Sequence, residues 1–324
     1  MKSEIGRRTL MGAAMAALPL LGAKAQPGGT MRWVVPYAAG GGADVLARLI
    51  AQRLGERLGQ AIVIDNRAGG ATAIGAQNVA TAAPDGLTVL TADNGTLVFN
   101  TALFKKLAYD PVKDFRPVGL MGRFNLVLCA KPGSPIADAK GFRTAAQEKP
   151  GALVYASAGI GSPHHLSMAR LAKEAKLELT HAPYRGAAPA LNDLVAGTVD
   201  VMAVDLAAGG EYVRGRQIKP LAVMSLQRLP ELPDVPTVIE ALELPKFEAY
   251  AWQGMVLPKA TPDAATKRLS DALYAVLQDE EMARKIKAIG IEPMPGLPEQ
   301  FEALLASERA IWVPLIRELG ITID

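Results

Sequence analysis

The 324-residue chain has one cysteine, three histidines and few aromatic residues: three Trp, seven Tyr and seven Phe. A single cysteine excludes a disulfide-stapled scaffold. Cys129 sits in the apolar run Leu126-Val127-Leu128-Cys129-Ala130, where packing in a buried strand accounts for it better than reactivity. His164 and His165 are adjacent, so on a helix they point about 100° apart and cannot share a metal. His181 stands beside a strand end. No metal site and no cofactor are expected. The chain has no Gly-x-x-x-x-Gly-Lys-Ser/Thr, which excludes a P-loop, and Gly159-Ile160-Gly161 copies only two glycines of a dinucleotide fingerprint. It also lacks a Gly-x-Ser-x-Gly elbow and any acid array tied to a histidine, so no enzyme is expected.

A basic excess is lacking too, once the charge is located. The formal charge of +3 equals that of residues 1–25, where Lys2, Arg7, Arg8 and Lys24 face Glu4. The rest carries 31 basic and 31 acidic residues, a net of zero with no basic stripe, so nucleic-acid binding has no support. The charged N-terminal stretch precedes an apolar run of 13 residues, Leu10 to Gly22, shorter than the roughly 20 that span a bilayer. Ala23-Lys24-Ala25 then gives a small-x-small cleavage pattern. The segment reads as an export signal cut after Ala25, which predicts a periplasmic chain. Arg7-Arg8-Thr9-Leu10-Met11 resembles a twin-arginine signal, although Gly6 precedes the pair, so the export route stays open.

Beyond that segment, apolar strand-like runs alternate with helical periodicity, which predicts an α/β fold with a largely parallel sheet. Strands are expected at 31–35, 61–64 and 87–92, with a helix from Asp44 to about Leu58. Two apolar runs, 118–121 and 124–130, have no helix between them and break the rhythm. A second series follows at 153–156, 179–182, 199–204 and 221–224, with helices at 163–176 and 187–196. After a Pro-rich stretch and a strand at 250–257, helices without strands of their own finish the chain. The economical solution is two α/β domains with a ligand cleft between them. The first comprises residues 26–125 and a return segment, 251–324; the second comprises 126–250.

Two loops have matching construction. One strand ends at Val35, and Tyr37-Ala38-Ala39-Gly40-Gly41 leads towards Asp44. Another ends at Ala156, and Ser157-Ala158-Gly159-Ile160-Gly161-Ser162 leads into a helix with Ser162 as N-cap and Pro163 in its first turn. Glycines let N–H groups face a ligand, and helix N-termini leave such groups unpaired beside a partial positive charge. Each loop therefore reads as an anion cradle or as a plain tight turn. His165 is expected to face the cleft or cap local backbone, Tyr37 to stack on a ligand or pack. Asn94 is a polar contact or a turn residue. Asp205 receives a ligand group or caps the next segment, and Arg185 pairs with a distal carboxylate or is solvated.

Several of these motifs resemble those of one family. Val35-Pro36-Tyr37-Ala38-Ala39-Gly40-Gly41-Gly42-Ala43-Asp44, Asp65-Asn66-Arg67, Gly161-Ser162-Pro163-His164-His165-Leu166, Pro183-Tyr184-Arg185-Gly186 and Trp252-Gln253-Gly254-Met255 resemble the Bug family, the extracytoplasmic solute receptors of tripartite tricarboxylate transporters. The resemblance implies a periplasmic binding protein, type II-like, of two α/β domains closing on a carboxylate held by backbone amides, hydroxyls and waters. It marks Tyr37, Ala39, Gly40, Gly41, Asp44, Ser157, Gly161, Ser162 and His165 as site residues, with Asp205 behind them. The chain departs from the family at Ala68-Gly69-Gly70-Ala71-Thr72, where Pro-Gly-Ala-Gly-Gly is usual, so Thr72 offers a hydroxyl where an amide is expected. The implied partners are a small carboxylate and membrane transporter subunits, with the receptor a monomer. The alternative is a ligand sensor that presents its closed form to a membrane receptor.

Overall fold

A computed structural model describes residues 29–323, and the expected signal segment with its cleavage site lies outside them. Ten strands are assigned: β1 Met31–Val35, β2 Ile62–Asn66, β3 Thr88–Asp93, β4 Phe115–Ala130, β5 Val154–Ser157, β6 Thr180–Pro183, β7 Val201–Asp205, β8 Lys219–Val223, β9 Tyr250–Pro258 and β10 Glu292–Gly296. Their order is β2-β1-β3-β9-β4-β7-β5-β6, with β8 and β10 also paired to β4.

Strands β1, β2 and β3 pair in parallel, as do β5, β6 and β7. Every pairing of β4 and β9 is antiparallel. The expected largely parallel sheet is thus corrected to a mixed one with parallel flanks and an antiparallel centre. The runs at 118–121 and 124–130 belong to one strand of 16 residues. Register shifts between Pro117 and Gly119 and between Leu120 and Gly122 absorb its curvature, as expected where Pro cannot donate to the ladder and Gly leaves room for a bulge. The first half of β4 pairs with β9 and ends with Asn125 opposite Tyr250; the next residue, Leu126, faces Asp205 of β7.

The C-terminal segment is not purely helical either, because β10 adds to β4. Its sequence, Glu-Pro-Met-Pro-Gly, has neither alternation nor β-branched residues, which is why no strand is legible there. The helices Ala139–Glu148 and Leu206–Arg214 are further additions to the expected set. Gly209 and Gly210 disguise the second, yet a Cβ at Gly209 would lie 2.1 Å from Val204 Cγ1, so close helix–strand packing requires glycine there.

The helix Gly42–Leu58 buries Leu46, Ile50 and Leu54 at helical spacing. They share a core with Leu269 and Leu273 of the Asp263–Leu277 helix. Gly59 ends the first helix in the left-handed conformation, returning its N–H to Gly55 and Glu56 carbonyls. Phe301 and Trp312 of the Pro298–Glu318 helix join another core with Trp252 of β9. The return segment is thereby held against β9 and β4.

Candidate functional site

The first loop leaves β1 at Val35 and enters its helix at Gly42. The N-cap, Gly41, has extended backbone and no side-chain cap, so the first-turn N–H groups lack intrahelical partners. Ala39, Gly40 and Gly41 are exposed. Asp44 is 2% exposed and works beneath the loop. Its Oδ2 accepts from Gly40 N–H (2.9 Å) and Arg48 Nε (2.9 Å), and Oδ1 accepts from Asn66 Nδ2 (2.9 Å). Asn66 also donates to the Tyr37 carbonyl (3.1 Å). Burial alone would raise the Asp44 pKa, but the bonds from Arg48, Gly40 and Asn66 bring it below the ordinary 3.8. The structure thus makes Asp44 a fastener of the loop, with its carboxylate fully engaged.

Tyr37 donates its hydroxyl to Asp93 Oδ2. Asp93 Oδ1 accepts from the backbone N–H and the hydroxyl of Thr96, both at 2.8 Å. The Thr96 hydroxyl also lies 2.9 Å from Thr72 Oγ1. Nearby, Asn100 donates to the Ala71 carbonyl (2.8 Å), and the Tyr109 hydroxyl donates to the Thr96 carbonyl (2.6 Å). Burial raises the pKa of Asp93 despite the bonds from Tyr37 and Thr96. Burial, and then the Asp93 charge, raises that of Tyr37. Thr72 is thus brought to the first loop, but within a buried network.

Asn94 is corrected from a candidate contact to a core residue. It is fully buried, donates to Glu308 Oε2 (2.9 Å) and the Tyr250 carbonyl (3.3 Å), and accepts from Trp252 N–H (3.1 Å). The strand end at Asp93 turns straight into helical backbone, which swings Asn94 inward towards β9.

The second loop is more self-contained than its sequence suggests. Ser162 caps its helix by accepting from His165 N–H (3.2 Å), and Pro163 stands in the first turn, as read from the sequence. The Gly161 N–H is not open, since it donates to His165 Nδ1 at 3.0 Å. Ser157, fully buried, has its Oγ 2.7 Å from His181 Nε2 and accepts from Gly159 N–H at 3.2 Å. Asp205 caps the Leu206–Arg214 helix through Ala208 N–H (2.8 Å) and pairs with His164 Nε2 at 3.0 Å. Burial opposes its ionisation, but His164 and Ala208 together lower its pKa. The matched cradles are therefore unequal: the first keeps an open helix terminus, while the second spends much of its donor capacity on itself. Arg185 is exposed at the end of β6.

Each loop region packs closely against another element. A Cβ at Gly42 would lie 3.3 Å from Ala207 Cβ and 3.0 Å from Phe124 Cε1. A Cβ at Gly161, whose φ is +75°, would lie 2.4 Å from Leu103 Cδ1. Glycine at both positions permits this approach. His181, which the sequence placed only beside a strand end, is brought against the second loop at Ser157. Its signal was its place in the strand beside the one ending at Ser157, visible only once β5 and β6 are paired in register, Tyr155 against His181.

A mixed α/β fold with two glycine-bearing loops, each leading from a strand end into a helix N-terminus, has the parts of a solute-binding protein, with receptor chemistry rather than catalysis. Residues 46–321 match the family described as the tripartite tricarboxylate transporter family receptor, and the chain belongs to this family, the Bug receptors. The family is extracytoplasmic. No helix among the described residues is long and apolar enough to cross a membrane. The chain is 38% identical to the "UPF0065 protein in tcbD-tcbE intergenic region" of Pseudomonas sp. (strain P51), covering 98% of this chain and 95% of the relative. It is 30% identical to BugT of Bordetella pertussis, covering 91% and 90%. Among solved structures, R. palustris Rpa4515 with adipate superposes with a TM-score of 0.86 at 33% identity, covering 92% of this chain and 99% of that one. MatC from Rhodopseudomonas palustris with bound malate gives 0.82 at 34%, covering 90% and 100%.

Proposed function

We propose that the chain is exported to the periplasm with cleavage after Ala25. There, as a monomer, it captures a small carboxylate between two domains, residues 26–125 with 251–324 and residues 126–250, and delivers it to membrane transporter subunits. The observation that carries this reading is the uncapped N-terminus of the Gly42–Leu58 helix, set where Gly42 approaches Ala207. One ligand carboxylate takes the first-turn N–H groups and Ala39. The Ser162 hydroxyl and the His164 N–H serve the opposite side. The adipate and malate bound by the two solved relatives support a dicarboxylate. The crossing at Asn125 and Tyr250, where β4 passes from β9 to β7, is the natural place for the domains to hinge.

Magnitudes allow binding without a dedicated cation. A helix terminus contributes about 0.3–1 kcal/mol, more when partly buried. Each charge-assisted hydrogen bond adds about 1.5–3 kcal/mol. Four such bonds cover the roughly 8 kcal/mol of micromolar affinity after association costs reduce the sum.

The test is a thermal-shift screen of the purified protein against dicarboxylates, tricarboxylates, amino acids and aromatic acids, followed by calorimetry. Gly41→Val keeps an allowed backbone (φ −76°) and places its Cβ 3.6 Å from the Ala38 carbonyl, an ordinary contact. It should weaken binding at least tenfold while the melting temperature stays within a few degrees, and Ser162→Ala should weaken it less. Unchanged affinity in both variants sinks the two-loop site. Scattering with one domain angle, with and without a ligand that binds, sinks closure.

A further inference from the structure

The three histidines of the chain, His164, His165 and His181, all border the Ser157–Ser162 loop, and two of them form a stack. The His165 and His181 rings lie 3.8 Å apart and 4° from parallel. Tyr155 of β5 lies alongside, its ring centroid 4.8 Å from His181 and 6.2 Å from His165. Each imidazole holds a different part of the loop. His181 Nε2 meets the Ser157 hydroxyl at 2.7 Å, and Ser157 Oγ in turn accepts from Gly159 N–H. His165 Nδ1 accepts from Gly161 N–H, which requires that nitrogen to be unprotonated.

We propose that His181 is a positioning residue of this binding site: it fixes Ser157 and, through its stack with His165, keeps the Gly159–Ser162 loop in its binding shape, so that protonation of the stacked pair releases the loop. The inference rests on the carboxylate-binding reading above. Two physical steps carry it. A proton on His165 Nδ1 removes the acceptor of the Gly161 N–H and turns two donors against each other. A proton on either ring also sets a charge face to face with a second titratable ring 3.8 Å away, in partly desolvated surroundings.

The other groups facing the pair do not offset that charge. Tyr155 is neutral, and burial raises its phenol further. The nearby Asp205 carboxylate is engaged by His164 and by its own helix. Tyr184, just past the end of β6, directs its hydroxyl to Asp193. Burial lowers His181 to about 4, and burial together with the His181 charge lowers His165 to about 3, so the neutral stack is the neutral-pH state.

The test uses two substitutions in the full-length mature protein, with malate and adipate as probes. His181→Phe keeps a stacking ring and loses the bond to Ser157. His181→Gln keeps a donor near the Nε2 position and cannot take a proton. At pH 7.5, His181→Phe should bind about tenfold more weakly, the loss of one hydrogen bond to a buried hydroxyl, and His181→Gln should bind nearly as wild type. After allowance for the ligand's own protonation, wild-type affinity should fall as pH drops through about 4, with a steepness that approaches two protons only towards pH 3, and in both variants with no more than one. A His181→Phe protein that matches wild type in affinity and pH profile overturns the proposal. A second readout needs no ligand. Nitrogen-15 spectra of the imidazoles and of the Gly159 and Gly161 amides should show the amides moving with the histidine titration in wild type and losing its His181 step in His181→Gln. If neither probe binds wild type while these amides still follow the histidines, the ligand reading fails and the positioning role stands. Amides indifferent to histidine protonation overturn the role itself.

Discussion

Tyr37 donates a hydrogen bond from its hydroxyl to Asp93, the last residue of the neighbouring strand β3, and this bond ties the exposed first loop to a buried carboxylate. Asp93 keeps its other oxygen on Thr96, so Tyr37 alone satisfies Oδ2. Tyr37→Phe preserves ring packing and strands that oxygen. A buried group left unpaired costs about 1–3 kcal/mol, more when charged. Urea unfolding should register a loss of that size, and calorimetry should register weaker ligand binding because the loop loses its anchor. Stability and affinity both unchanged would remove Tyr37 from the site.

Asn94 and Glu308 make the contrasting case. Glu308 Oε2 accepts from Asn94 Nδ2 and from Trp252 Nε1 (3.1 Å), locking the C-terminal helix to β9. Glu308→Leu takes a partner from the buried donors of Asn94, Trp252 and Trp312, and about 2–4 kcal/mol of stability should be lost. Asn94→Leu should destabilise comparably. Ligand affinity measured well below the melting transition should stay within about twofold for both, because neither side chain reaches the loops. A tenfold loss of affinity in Asn94→Leu with normal stability would restore it as a ligand contact.

What could be read from the sequence follows physical range. Ser162 and Pro163 announce a helix start through local chemistry that acts over one turn, and the structure has that cap. The two glycine-bearing loops were legible for the same reason. Their inequality was not, because it depends on how the His165 ring turns back onto the Gly161 N–H and on a partner for Ser157 that arrives from another strand. His181 reaches Ser157 only after β6 pairs with β5. The antiparallel β10 was hidden because its two prolines carry no period, and only the bulged edge of β4 makes it a strand. Asn94 was misread because a polar residue after a strand is ordinarily a turn; its partner Glu308 lies 214 residues away.

The stacked histidines also bear on stability. Both fall below their ordinary 6.5 in the folded chain, to about 3 for His165 and about 4 for His181. As pH falls below 6.5 the unfolded chain takes up protons that the folded chain refuses, so stability is full above 6.5 and declines towards pH 4. Asp44 and Asp205, both lowered, extend the loss below 3.8. Asp93 and Glu308, raised by burial, act in the opposite sense. The difference between wild type and His181→Gln isolates one contribution. Urea midpoints at pH 7.5, 6, 5 and 4.5 should decline less steeply in the variant, and parallel curves would show that His181 takes its proton equally well in both states.

The loop before the Ala73–Ala80 helix gives the last prediction. Residues 69 to 72 all have positive φ, at 127° and 54° for Gly69 and Gly70, and 46° and 77° for Ala71 and Thr72. The first two adopt this backbone freely, whereas an L side chain there costs about 1–2 kcal/mol. Ala71 and Thr72 occupy the places where the family pattern usually has glycine, so the chain departs in residue type while keeping a backbone that favours glycine. Ala71→Gly relieves strain and gives back about 0.4–1 kcal/mol of unfolded-state entropy. A net gain of about 0.5 kcal/mol should appear as a higher urea midpoint. Thr72→Gly relieves similar strain but removes the hydroxyl 2.9 Å from Thr96, which belongs to the network holding Asp93. It should gain nothing and should weaken ligand binding, because Tyr37 depends on the same carboxylate. A stability loss in Ala71→Gly would show that the Ala71 methyl packs favourably enough to outweigh its backbone.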